Sequence, residues 1–238
     1  MSDVIGRGAF EEQLAKVLGR EFSKQRKEII RLLGDPPNPN NIPIEYWENG
    51  GKQIRDAVEP LLQKIYLSQA EIFMNQLTIG IDWGLANTGA ITWARDYTFE
   101  LVTGLTETTR NGISTAIQGF FEQPTTLQQL IDKLDPYFGP VRAEMIAITE
   151  VTRAASNGES QVIKQIIERN PGMEAVSRWI TYKDDRVCTI CLPLHNVETT
   201  EHVDGIAIWE HPELEDAFTQ PAHPRCRCYK RTTFRSKK

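Results

Sequence analysis

Two short clusters carry most of the chemistry this chain could perform. Cys188-Thr189-Ile190-Cys191 is a Cys-x-x-Cys knuckle, and beyond 31 intervening residues stands His223-Pro224-Arg225-Cys226-Arg227-Cys228. All four cysteines and all four histidines of the chain lie beyond residue 187. Zinc takes four sulfur or nitrogen ligands in a tetrahedron, and paired clusters are a common way for one chain to supply them. The spacing therefore points to a structural zinc site made by Cys188, Cys191, His223 and one of Cys226 or Cys228. The last two are two residues apart, so in an extended segment they face opposite ways, and both reach one ion only if the chain turns. His195 follows Cys191 by four residues and is a substitute ligand on spacing, although a polar surface histidine is the plainer account of it. His202 and His211 are spare.

Other readings of the cysteines stay open. Two disulfides would each contribute about 2–4 kcal/mol, but they suit an oxidising compartment better than a cytoplasm. A thioredoxin-like redox motif follows a strand in a βαβ unit, and no such unit is legible. Chance clustering of buried cysteines is the remaining alternative. Nothing in the pattern announces catalysis: there is no HExxH, no GxSxG and no phosphate-cradling glycine loop. A metal-dependent nuclease could be assembled on paper from His202 or His211 with Arg225. A cysteine-rich, closed ligand set argues instead for a structural metal and against an enzyme.

The net charge of −5 argues against a protein that coats nucleic acid over its whole surface. The charge is uneven, however. Seven acids and no Lys or Arg lie between Glu198 and Asp216. Beyond them come seven cations with no acid: Arg225, Arg227, Lys230, Arg231, Arg235, Lys237 and Lys238. These are the candidate DNA-contacting residues, because uncompensated cations release counterions from phosphates. A mobile chain end is expected there, and the acidic stretch would cancel the effect if it folded back onto it. Glu150 and Arg153 stand one helical turn apart and read as a structural ion pair.

The elements that must hold these residues are mostly helical. Apolar residues at helical spacing predict an amphipathic helix over 9–33, closed by Gly34-Asp35-Pro36-Pro37. A second is expected over 51–76, kinked or divided at Pro60. Gly80 to Gly89 reads as a loop, with helix resuming over 90–121. Thr125 and Gln128 have capping-box spacing before the next apolar stripe, which is expected to break at Asp135-Pro136-Tyr137-Phe138-Gly139. A further helix should run from 140 to 169, with Pro140 in its first turn. After Pro171 the texture changes, and Ser177 to Tyr182 alternates like a strand. The expected fold class is mainly α, a helical body followed by a small α+β Cys/His metal-binding module. The expected divisions are an N-terminal helical region over 1–80, a helical body over 81–174, and the module with its basic tail over 175–238. No apolar run approaches the ~20 residues that cross a bilayer, and Met1 to Arg7 lacks the apolar core of a secretory signal. The expectation is a chain made in a cytoplasm with no membrane partner.

Three segments together resemble the minor head, or head-morphogenesis, proteins of tailed bacteriophages, the Mu F-like family. The first is Ala147-Ile148-Thr149-Glu150-Val151-Thr152-Arg153-Ala154 followed by Asn157. The second runs from Trp179 to Asp185-Arg186-Val187-Cys188-Thr189-Ile190-Cys191. The third is Pro221-Ala222-His223-Pro224-Arg225-Cys226-Arg227-Cys228. The resemblance covers about residues 90–232 and leaves the first 80 without a motif. It implies a low-copy internal capsid protein that associates with the portal protein and aids head assembly and DNA packaging or delivery. It implies host cytoplasm during assembly, then the head interior of the virion against packaged double-stranded DNA. The 1–80 region is then a candidate portal-contacting arm.

Overall fold

A computed structural model describes residues 6–77, 80–123, 126–182 and 184–237. Five helices come first: α1 (Arg7–Leu33), α2 (Ile44–Leu77), α3 (Trp83–Glu122), α4 (Leu127–Phe138) and α5 (Pro140–Arg169). A 3-10 turn, Pro39–Asn41, follows α1. Seven strands follow α5: β1 (Met173–Ile180), β2 (Glu198–Thr199), β3 (His202–Val203), β4 (Ile206–Ala207), β5 (Trp209–Glu210), β6 (Ala217–Phe218) and β7 (Tyr229–Ser236). The fold is mainly α, with a small strand-containing module at the C-terminal end. That module consists of strands and turns, and the helix nearest to it in sequence, α5, packs against it.

Four boundaries differ from the sequence expectation. Helix α2 starts earlier than expected and runs unbroken through Pro60. A proline there removes one backbone hydrogen bond, but Ile54, Val58, Leu62 and Ile65, all at most 2% exposed, keep the helix on its packed face. Residues Trp83 to Gly89 are the first turns of α3 rather than loop. Asp82 caps this helix through Leu85 N at 3.2 Å, which supplies one of the four amide partners a helix start lacks. The capping box of α4 is Thr126 with Gln129, one residue beyond the expected pair, whose Thr125 lies outside the described residues. Helix α4 also continues through Pro136 to a buried Phe138. Its terminal Tyr137 carbonyl accepts a hydrogen bond from Arg142.

The chain groups into two compact units, one of Glu12–Leu61 and Ala94–Ala147, the other of Met1–Glu11, Leu62–Trp93 and Ile148–Lys238. This grouping differs from three consecutive segments over 1–80, 81–174 and 175–238, because α1, α2, α3 and α5 each contribute turns to both units. The first unit is all helical. Buried Leu14, Leu18, Phe22, Leu130 and Leu134 belong to its core, and the buried Arg142 guanidinium bonds Thr109 Oγ1 at 2.8 Å and Leu105 O at 3.1 Å.

The second unit holds the module. β1 is its central strand, antiparallel to β7 from Met173↔Ser236 to Ile180↔Tyr229 and to β2 at Ser177↔Thr199. One core, Ala70, Phe73, Val162, Ile163, Ile166 and Ala175, joins α2 and α5 to the sheet. Another gathers Trp179, Leu194, Ala207 and Trp209 around Cys191, Cys226 and Cys228. Its two indoles meet edge to face at 5.0 Å, a geometry the ring quadrupoles favour. Gly205 turns the β3–β4 hairpin at φ +79°, and a Cβ there would lie 2.1 Å from Ser160 O of α5. Gly158 of α5 is as tightly placed, with Tyr66 O of α2 at 2.1 Å from the position of a Cβ. That contact is backbone and cannot rotate away. Gly158→Ala is therefore expected to lower stability by about 1–3 kcal/mol, the usual range for overpacking, as read from urea midpoints; an unchanged midpoint would contradict the close approach of α2 and α5.

Candidate metal centre

The knuckle is shaped by local backbone bonds. Leu192 N donates to Cys188 O at 3.0 Å, and Cys191 N donates to Cys188 Sγ at 3.3 Å. His211 braces the loop from outside, with Nε2 donating to Ile190 O at 2.9 Å and Nδ1 accepting from Glu213 N at 3.1 Å. The second cluster turns as well. Cys226 N bonds His223 O at 3.1 Å, and Arg225 takes a left-handed φ of 63°. The i, i+2 spacing of Cys226 and Cys228 does not keep them apart, since both sulfurs lie within 4.8 Å of Cys191 Sγ and of one another.

Two helix threonines fix this turn to α5. Thr149 Oγ1 accepts from Arg225 N at 2.9 Å, and Thr152 Oγ1 lies 2.7 Å from Cys226 O as its donor. Arg7 of α1 donates to the same Thr152 hydroxyl at 2.9 Å. The third element is Asp184, whose carboxylate binds the Arg227 guanidinium at 2.6 Å and is held below the usual carboxylate range first by that bond. Tyr182 lies between two guanidinium groups, Arg227 at 5.0 Å and Arg7 at 5.7 Å from its ring centre.

These restraints bring all five expected donors together in two overlapping triads, Cys188–Cys191–His223 and Cys191–Cys226–Cys228, each within 4.8 Å and sharing Cys191. His223 Nε2 lies 2.9 Å from Cys188 Sγ and 3.1 Å from Cys191 Sγ. Cys191 Sγ lies 3.9 Å from Cys226 Sγ. A tetrahedral zinc with ~2.3 Å bonds to sulfur and ~2.05 Å to nitrogen sets neighbouring sulfurs ~3.8 Å apart and sulfur from nitrogen ~3.6 Å apart, so the sulfur pair matches and the imidazole would draw back by about 0.5 Å on binding. The histidine also fits a ligand's role, because its other nitrogen, Nδ1, lies 2.7 Å from Pro224 O, the carbonyl contact that orients metal-binding imidazoles. The donors are electrostatically coupled. Hydrogen bonds from Cys191 and Cys228 hold the Cys226 thiol below the ordinary range against its burial. Cys226 first among several groups pushes the Cys191 thiol up, and Cys226 likewise pushes His223 up to about 9, so a metal ion would have to displace protons from Cys191 and His223. All four cysteines are free thiols. The cluster is thus compatible with a metal ion.

The space beside the sulfurs is about 20 Å³ and is lined by Arg225, Arg227, Arg186 and Tyr182 as well as the donors, which is room for about one water. His202 and His211 do not line it. His202 Nε2 lies 2.9 Å from Ser177 Oγ, and His195 Nδ1 accepts from Thr181 N at 3.2 Å.

The basic tail is an ordered strand, a correction to the mobile end expected from sequence. Lys230 is 2% exposed and turned inward, donating to Ser156 O and Ser156 Oγ, both at 2.8 Å, with Glu159 Oε2 at 3.7 Å. Arg227 is bound to Asp184, and Arg235 to Glu174 at 2.8 Å. Arg225, Arg231 and Lys237 are exposed, and Lys238 lies outside the described residues. Among the described residues no acid between Glu198 and Asp216 forms an ion pair with a tail cation; Glu198 pairs with Arg178, and Asp204 with Lys164 at 3.0 Å. Glu150 and Arg153 form their ion pair at 3.2 Å, with side-chain exposures of 6% and 32%.

Sequence reasoning missed Thr149 and Thr152 as clamps and Lys230, Glu159 and Gln69 as a buried polar network. A signal for the lysine existed. Period two along β7 puts Lys230 and Thr232 on one face, and Lys230 pairs across the sheet with the fully buried Trp179. No helix among the described residues is long and apolar enough to cross a membrane. No family model matches the chain, and no match was found among curated proteins or among solved structures.

Proposed function

We propose that the C-terminal module is held together by one structural zinc ion bound by Cys188, Cys191, His223 and Cys226, and that the protein is a minor head protein of a tailed bacteriophage. Cys228 then stands beside the site as a sulfur neighbour. The observation that supports this reading most is a convergence. The three segments that resemble the phage family lie far apart in sequence yet meet at one place: Thr149 and Thr152 clamp Arg225 and Cys226, and the knuckle's Cys188 and Cys191 face His223. A resemblance scattered by chance would not need its motif residues to touch. In this reading the module is a rigid docking body that sits in the head interior, associates with the portal protein and contacts packaged double-stranded DNA. The metal has no catalytic task, because a Cys-rich set with room for about one water leaves little space for a substrate. This disfavours the nuclease alternative.

Quantitative mass spectrometry of purified virions of the encoding phage tests the assignment. A few copies per portal ring are expected, and a protein found in infected cells but not in virions contradicts it. The DNA contact has a separate expected result. With Arg225, Arg231 and Lys237 as the exposed tail cations outside any ion pair among the described residues, affinity should fall with salt at a slope of about −0.9 per phosphate neutralised, or roughly −3 in total. Replacing these three by alanine should abolish binding in an anisotropy titration, while a slope near −6 would return the contact to the whole tail.

A further inference from the structure

The all-helical unit carries a feature that the metal centre does not explain. Between the first turns of α2 and the middle of α3 runs a trough of about 390 Å³. Trp47, Gly51 and Val102 line it, and the α2 and α3 backbones approach closely there, because a Cβ on Gly51 would stand 3.2 Å from Val102 Cγ1. Ile44 and Phe99 line it too and are 61% and 59% exposed. A neighbouring hollow of about 370 Å³ shares Ile44, Trp47 and Arg110, so the apolar surface is continuous over Trp47. Contiguous exposed apolar surface of this kind marks an interaction site more often than bare surface.

Charged groups surround this surface: Lys52, Arg55 and Arg110 of one sign, Glu48 and Glu107 of the other. None of the five forms an ion pair among the described residues, although Arg110 lies 5.9 Å from the Trp47 ring centre. Other charges of the same unit are paired, among them Arg26–Asp135 at 2.6 Å and Lys24–Glu21 at 2.9 Å. An apolar centre within a rim of charges is the anatomy of a protein–protein contact. The rim carries both signs, so it is complementary to itself. Glu48 lies two turns before Arg55 on α2, so a two-fold axis near Gly51 would run α2 antiparallel to its copy and set Glu48 of each opposite Arg55 of the other, which is how isologous interfaces close.

We propose that this α2–α3 face is the contact surface for a second copy of the chain, arranged as a two-fold dimer with Phe99 and Ile44 at its centre. The inference stands apart from the metal centre and from the phage assignment.

The test is sedimentation velocity on the full chain as purified, across about 1–100 μM, a span that covers ordinary dimer affinities. The wild type should pass from monomer to dimer. Phe99→Glu should weaken association at least 100-fold, about 2.7 kcal/mol. Two rim variants then separate this proposal from generic stickiness. Glu48→Lys with Glu107→Lys leaves a wholly positive rim, and Lys52→Glu with Arg55→Glu a mainly negative one. Each alone should stay monomeric, and an equimolar mixture should dimerise. Circular dichroism melts confirm that these substitutions, all at exposed positions except the half-buried Arg55, leave the fold intact. A wild type that is monomeric throughout overturns the proposal. So does a dimer indifferent to Phe99→Glu, or a mixture that remains monomeric, which would hand the face to a different partner.

Discussion

Replacing Cys191 by serine should remove the bound metal and unfold the strand module while leaving the helical unit folded. Cys191 is the one sulfur shared by both donor triads, and at 1% exposure it lies within the core formed by Trp179, Leu194 and Trp209. The module has few aliphatic residues of its own, so in the proposed reading a zinc ion supplies what its core cannot. Structural zinc contributes about 10–16 kcal/mol of coupled folding energy, as much as or more than the ~5–15 kcal/mol that separates a whole domain from its unfolded state. The expected signs are loss of zinc by elemental analysis and a red shift of the Trp179 and Trp209 emission. Cys228→Ser should retain one zinc per chain if Cys226 is the fourth ligand, and loss of zinc there would exchange the roles of the two. Acid should act like a chelator, since the ligands must be deprotonated to bind and protons compete as pH falls.

The second large effect is expected from the buried polar network of the same unit. Lys230 of β7 is 2% and Glu159 of α5 is 4% exposed, with Gln69 of α2 at 1%. Gln69 Nε2 donates to Glu159 Oε1 at 2.7 Å. Burial raises the Glu159 pKa and lowers that of Lys230, each opposed by the other's charge. Neither charge tolerates losing its partner. Lys230→Met alone should cost about 3–5 kcal/mol, because it leaves a carboxylate uncompensated in the interior. The pair Lys230→Met with Glu159→Leu should recover most of that, since apolar residues of similar volume often replace a buried ion pair at little cost. Urea unfolding of the four proteins of this cycle measures the coupling, and additive effects would show that the two side chains do not act together. The same buried lysine should be irrelevant to DNA affinity in any variant that remains folded.

The donors of the metal centre were legible because their chemistry is rare. Cysteines and histidines confined to one end of the chain, in two tight clusters, have few other uses. Helix α5 was legible for a similar reason, with Pro140 at its start and Asn170-Pro171 beyond its end. Pro60 and Pro136 misled because each local penalty is about 3 kcal/mol, and the burial of apolar residues such as Ile54, Val58 and Phe138 outweighs it. Asp82 was hidden among glycines, whose density suggested a loop, although an Asp three residues before Leu85 is a cap signal in its own right. Lys230 was counted with the tail because charge was read by position along the chain. Strand periodicity decides its direction instead, and the sheet turns it toward Ser156 and Glu159. Thr149 and Thr152 stood in the first resembling segment, but their role as clamps was not legible, since a threonine that clamps a distant turn looks like any other helical threonine until the turn is in place.

The most direct measurement is elemental analysis of the protein purified without chelator, repeated after EDTA with circular dichroism and tryptophan emission followed in parallel. One zinc per chain is expected, and its removal should take the tertiary structure around Trp179 and Trp209 with it. A fully folded module that carries no metal, with its four cysteines unreactive toward thiol reagents because they are paired in disulfides, would contradict the account.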